Sequence, residues 1–184
     1  MKLTKPVLAG ALALACLPAA AHPQAGPHVH GFMAGFIHPF TGIDHLLAML
    51  GVGIWSARQS NGRALPLTFI LMMLLGVLSG VAGLTIPGLE TGIALTVALV
   101  GVLIAAAVRL PTGAGMALVG VFAVLHGNAH GHELPEAASA LGLLTASALL
   151  VYAGRTLGRI SPALLTKVSG AVIALAGVYM ITVA

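Results

Sequence analysis

Charge is in short supply in this sequence. Only 7% of its 184 residues are Asp, Glu, Lys or Arg, against about 25% in an average soluble domain. So few charges cannot cover the surface of a water-soluble fold of this size. The same shortage excludes a disordered chain, a coiled coil and a nucleic-acid-binding surface. Cysteine is scarcer still. Cys16 stands alone, so neither an intrachain disulfide nor a thiolate metal site can form. There is no ATP-binding loop, which argues against a pump. No H-E-x-x-H motif occurs, since His132-Glu133 runs on into Leu134-Pro135-Glu136, and no G-x-S-x-G surrounds Ser79. Hydrolase readings therefore have little support. No internal repeat is visible, so an inverted-repeat carrier is not supported either. What the chain does have is 59% apolar residues and a mean hydropathy of +1.07. Lipid is its expected solvent. Within that chain stand eight histidines, as many as all Lys and Arg together, and ionisable groups in a bilayer are costly and usually functional.

The first residues read as a secretory signal. Lys2 and Lys5 precede an apolar run from Val7 to Leu17, and Ala19-Ala20-Ala21 supplies a cleavage site. Residues 1–21 are then a signal peptide, His22 the mature N-terminus, and 22–184 a transmembrane domain. A span needs about 20 apolar residues. The sequence predicts an all-α polytopic protein with six spans after the signal. They lie within Gly31–Ala57 (interrupted near Pro39, with the helix restarting near Thr41), then Ala64–Leu84, Leu89–Val108, Gly113–Asn128, Ala137–Ala153 and Ala163–Val183. With the mature N-terminus in the periplasm, Arg58 and Arg63, then Arg109, then Arg155 and Arg159 fall in cytoplasmic loops, and Lys167 lies near them. Glu90, Glu133 and Glu136 fall outside. This obeys the positive-inside rule for a bacterial cytoplasmic membrane. Gly76-x-x-x-Gly80 and Gly127-x-x-x-Gly131 are small-xxx-small patterns that allow close helix approach.

The histidines fall into groups. One cluster is His38-Pro-Phe-Thr-Gly-Ile-Asp44-His45, and another is His126-Gly-Asn-Ala-His130-Gly-His132-Glu133. His22, His28 and His30 lie on the mature N-terminal segment. At about 1.5 Å of helix rise per residue, His45 sits roughly 18 Å above the cytoplasmic end of its span and His126 roughly 20 Å above that of its own. Two clusters far apart in sequence thus reach one level, on the outer side of the bilayer centre. His126, His130 and Glu133 share a helix face if the helix continues through them, and His132 then points elsewhere. Asp44 has two readings. Thr41-x-x-Asp44 resembles a capping box, and the carboxylate could equally serve the polar site or orient a ligand. Trp55 reads as an interfacial anchor.

Imidazole nitrogen and carboxylate oxygen suit a divalent transition metal: Ni²⁺, Co²⁺, Zn²⁺ or Cu²⁺. The residues suggested as ligands are His38, Asp44, His45, His126, His130 and Glu133, with His22 and His132 as further candidates. The metal is cargo and no prosthetic group is expected. The inner half of the chain is almost purely apolar, so a hidden path or a homo-oligomer would be needed to complete the route. Two other readings use the same residues: a membrane accessory or metal-chaperone protein, and an intramembrane zinc hydrolase.

These motifs, with the signal and the histidine-led N-terminus, resemble the HupE/UreJ family of nickel permeases over essentially the whole chain. The resemblance implies a non-enzymatic uptake protein, typically for Ni²⁺, which indirectly feeds hydrogenase or urease maturation. It implicates His38, Asp44, His45, His126, His130 and Glu133, and more weakly His22.

Overall fold

A computed structural model describes residues 31–184. The expected signal peptide and His22, His28 and His30 lie outside the described residues. Within them the protein is all-helical. α1 is Phe32–Thr41, α2 Ile43–Ser56, α3 Ala64–Val81, α4 Leu89–Ala105, α5 Thr112–Glu133, α6 Ala137–Ile160 and α7 Ala163–Val183. Four helices, α3, α5, α6 and α7, are long and apolar enough to cross a membrane, and α1 with α2 makes a fifth candidate, bent by 83°. α4 is apolar but has only 17 residues. The outer surface is apolar, with Leu67, Leu71 and Leu78 of α3 and Leu164, Leu175 and Tyr179 of α7 all exposed. A bundle with this surface belongs in lipid.

The expected interruption of the first span moves from Pro39 to Gly42. α1 runs through the proline, and Gly42 adopts an extended φ of −88° and ψ of 114°. Pro39 still removes one helical donor, but the turn is held around it. The Thr41 hydroxyl donates to the His38 carbonyl at 2.8 Å, and the Gly42 amide donates to the same carbonyl at 3.4 Å. The capping box does not form, because the Thr41 hydroxyl donates to His38 and Gly42, which has no side chain, is the N-cap of α2.

Two helices outrun their expected ends. α5 continues past Asn128 to Glu133 and carries the whole second histidine cluster. α6 continues past Ala153 to Ile160, so Arg155 and Arg159 lie on its last turns instead of in a loop. No proline stands between Ala153 and Ser161-Pro162, and cations near a helix C-terminus are favoured by the dipole.

Close glycine contacts organise the bundle. Gly76 and Gly80 of α3 face Gly127 and Gly131 of α5, where an added Cβ would strike the partner's backbone. Gly101 of α4 lies against Gly170 and Ala174 of α7. Gly53 of α2 and Gly35 of α1 lie against α6 in the same manner. These pairings hold α6 across both halves of the bent pair and set α3–α5 and α4–α7 as the other tight pairs.

The helices differ in how they stop. α3 ends on Gly83 at φ +80°, and the Leu84 amide reaches back to the Ser79 carbonyl at 3.0 Å. α4 ends in the same way on Ala107 at φ +52°, with the Val108 amide on the Leu103 carbonyl at 2.9 Å. A Cβ in the left-handed region costs about 1–2 kcal/mol. Ala107 is exposed, so Ala107→Gly should raise stability by about 1 kcal/mol, read as a higher midpoint of thermal unfolding in detergent.

The two ends of the bundle are chemically opposite. At one end Arg155 donates to the Ser56 carbonyl at 2.9 Å and the Gly62 carbonyl at 2.6 Å. Arg58 donates to the Ser161 carbonyl at 2.8 Å. Trp55 and Gln59 both donate to the Val108 carbonyl at 3.0 Å. Trp55 is 2% exposed, so it locks α2 to the α4–α5 connection instead of anchoring in an interface. Arg155 ties α2 and the α2–α3 connection to α6. Arg155→Ala should lower the thermal midpoint, because buried carbonyls lose a charged donor worth about 1.5–3 kcal/mol each, whereas the exposed Arg159→Ala should leave it unchanged. The opposite end holds the histidines.

Candidate metal centre

The histidine end is assembled by α1, α2 and α5. His38 comes from the last turn of α1, and His45 from the first turn of α2 just past the bend. His126, His130 and Glu133 come from one face of α5. The 83° bend folds His38 back over His45. The ligand-capable atoms of His38, His45 and His130 all lie within 4.8 Å of one another. His130 is central: its ring centroid is 4.1 Å from that of His45 and 4.9 Å from that of His38.

His130 is fully buried, yet neither ring nitrogen has a hydrogen-bond partner among the described residues. The Glu133 carboxylate approaches its Nδ1 only to 3.5 Å. Burying a polar group without a partner costs about 1–3 kcal/mol. A cation on the imidazole lone pair offsets that cost, so the donor set fits a bound ion better than it fits an empty core. Glu133, at the mouth of the site, accepts from His38 Nε2 at 2.8 Å. Asp44 sits beside His45, with Oδ2 3.6 Å from Nε2. Both carboxylates are partly exposed, so the site opens at the histidine end while His45 and His126 are buried beneath it.

His126 is the deepest of the group. Its Nδ1 lies 3.0 Å from Nδ1 of His45, and its Nε2 lies 2.9 Å from the Thr96 hydroxyl. The depth arithmetic from two unlinked segments therefore corresponds to direct contact. His132 points away: its Nε2 donates to the Leu84 carbonyl at 3.1 Å, outside the three-histidine group. Asn128 uses the same carbonyl at 2.9 Å and also donates to the Ser79 hydroxyl, which fixes the α3–α4 connection against α5. Thr96 and Asn128 were not apparent as site residues in the sequence. A lone Thr in an apolar helix gives no signal.

Gly42 is needed for closeness. A Cβ there would meet His45 Cδ2 at 2.7 Å and Asp44 Oδ1 at 3.0 Å. Gly42→Ala should therefore shift the His45 ring and, if the cluster holds a divalent metal, lower its affinity by about tenfold, measured by calorimetric titration. Little change in thermal midpoint is expected, since an extended φ suits alanine.

Comparison with known proteins gives the family of the chain. The HupE / UreJ protein family matches residues 10–180, and so includes both histidine motifs. The Protein HupE of Rhizobium leguminosarum bv. viciae is 40% identical over 177 residues, covering 90% of this chain and 92% of that protein. No solved structure matches the chain. With both motifs inside the matched region and nearly full-length coverage on each side, the chain belongs to the HupE/UreJ family, which is linked to nickel and cobalt transport.

Proposed function

We propose that this protein is a permease that takes Ni²⁺ or Co²⁺ from the periplasm to the cytoplasm across the bacterial inner membrane. The observation that carries the reading is the convergence of His38, His45 and His130 within 4.8 Å around a buried imidazole with unspent nitrogens. In this reading α1–α2 and α4 are spans as well, giving six. At about 1.5 Å per residue, α4 is about 25 Å long, near the lower limit for crossing. The basic end faces the cytoplasm by the positive-inside rule, and the histidine end faces the periplasm.

Glu133, Asp44 and His38 meet the ion at the mouth and replace part of its water. His130 and His45 take it in the buried layer, and His126 stands below. The membrane potential favours inward movement by about 2.3 kcal/mol per charge per 100 mV, and a divalent ion gains about twice that. Beneath His126 the route is filled by Met49, Val52, Phe122 and Ala123, all buried. The ion therefore passes only when this packing opens, as a gated step. Arg155, Trp55 and Gln59 close the basic end in the described conformation.

That closure also supports a second reading, in which the protein binds metal and hands it to a partner without carrying flux itself. Uptake into proteoliposomes from a panel of Ni²⁺, Co²⁺, Zn²⁺ and Cu²⁺ separates the two. The permease accumulates Ni²⁺ or Co²⁺, and His45→Ala with His126→Ala abolishes it. Normal uptake by that double variant would overturn the permease assignment, and binding without uptake in the unaltered protein would establish the accessory role.

A further inference from the structure

Thr96 lies on the buried face of α4 and is 4% exposed. Its hydroxyl has one proton and two lone pairs. It makes two short contacts, one to the Ile93 carbonyl at 2.7 Å and one to His126 Nε2 at 2.9 Å. A carbonyl oxygen only accepts, so the single proton goes to Ile93. Toward His126 the hydroxyl can then only accept, and Nε2 of His126 must carry a proton.

The consequence propagates. A neutral imidazole holds one N–H and one lone pair, so Nδ1 of His126 is an acceptor. Nδ1 of His45 lies 3.0 Å away and must donate to it. Neutral His45 is left with its lone pair on Nε2, the nitrogen that faces Asp44 at 3.6 Å. The chain of donors therefore runs from His45 through His126 and Thr96 to the Ile93 carbonyl. Each member fixes the tautomer of the one before it, and reversing Thr96 alone would reverse the whole set.

We propose that Thr96 is a positioning residue for the metal centre: through His126 it holds His45 in the tautomer that presents the Nε2 lone pair to the ion. This rests on the reading that His45 is a ligand. Metal-bound histidine needs its other nitrogen to donate to a fixed acceptor, which sets ring orientation and strengthens the ligand. Here that acceptor is a second histidine, which is polarity-ambiguous by itself. Asp44 stands beyond hydrogen-bond distance of Nε2, at 3.6 Å, so the direction is set from the other end of the chain, by Thr96, whose one proton is held by Ile93. His126 is on this account a relay beneath the site and not itself a ligand of the ion held by His38, His45 and His130.

The test uses the full-length protein in nanodiscs, with ¹⁵N-labelled histidine. In the unaltered protein, NMR should show His126 protonated on Nε2 and His45 on Nδ1. Thr96→Val keeps the shape but cannot accept, so it should lower Ni²⁺ affinity by about 10–100-fold and scramble the two tautomers. Thr96→Ser should restore both affinity and tautomers. The opposite tautomers in the unaltered protein would overturn the proposal with no variant needed. So would full Ni²⁺ affinity in Thr96→Val when His45→Ala has lost it. If His45→Ala itself binds Ni²⁺ normally, the ligand assignment fails first and the role of Thr96 fails with it.

Discussion

His130→Leu is expected to reduce Ni²⁺ affinity by about 100-fold or more without destabilising the protein. The two halves of this result have one cause. His130 is buried and its ring nitrogens have no hydrogen-bond partner among the described residues, so the apo fold carries the desolvation cost of an unsatisfied polar ring. Leucine removes that cost, worth about 1–3 kcal/mol, and fills much of the same space. Metal binding loses the imidazole that stands between His38 and His45. Ligand linkage gives the readout. At 100 times its dissociation constant an ion adds about 2.7 kcal/mol to stability, so Ni²⁺ should raise the thermal midpoint of the unaltered protein and leave that of His130→Leu unmoved. A histidine kept only for packing would behave oppositely: its loss would lower the apo midpoint and spare the Ni²⁺ shift.

The largest expected structural effect is at Gly127. An added Cβ there would strike the Met73 carbonyl and crowd Gly76, and Gly131 meets Val77 and Gly80 in the same way one turn on. Backbone cannot rotate aside as a side chain can, so α3 and α5 must separate along the contact. Gly127→Val should cost about 3 kcal/mol or more, a large share of the roughly 5–15 kcal/mol that holds a typical fold together. Little monodisperse protein is expected on size exclusion in detergent. Two controls isolate the cause. Gly92→Ala meets only the Leu125 side chain at 3.5 Å, and Gly113→Ala meets nothing within 4 Å, so both should purify normally. If Gly127→Val behaved as they do, the α3–α5 packing described above would be wrong.

Much of this was legible in the sequence, and the limits have physical reasons. Polarity and period mark helix interiors well. α7 runs Ala163–Val183, as its flanking Pro162 and largely apolar sequence predict. Helix ends were harder where residue preference and tertiary contact disagree. Gly127 and Gly131 argue against helix by propensity, yet α5 continues through both because each lets α3 approach. Pro39 marks the bend only approximately, because the His38 carbonyl gathers the bonds that keep the turn helical up to Gly42. That His45 and His126 share one level was readable from helix rise, but their direct contact was not. Nor were buried hydrogen-bond partners. Trp55 looks like any interfacial Trp until Val108, far along the chain, is placed beside it. Thr96 looks like Thr68, which bonds only its own helix, until His126 is brought against it.

The central claim is that His38, His45 and His130 together hold the ion, and Ni K-edge X-ray absorption of the loaded, purified protein tests it most directly. The account predicts imidazole scattering in the first coordination sphere together with oxygen from a carboxylate or water, and loss of much of the imidazole signal in His130→Leu. A sphere of oxygen alone, or a spectrum unchanged by His130→Leu, would contradict it.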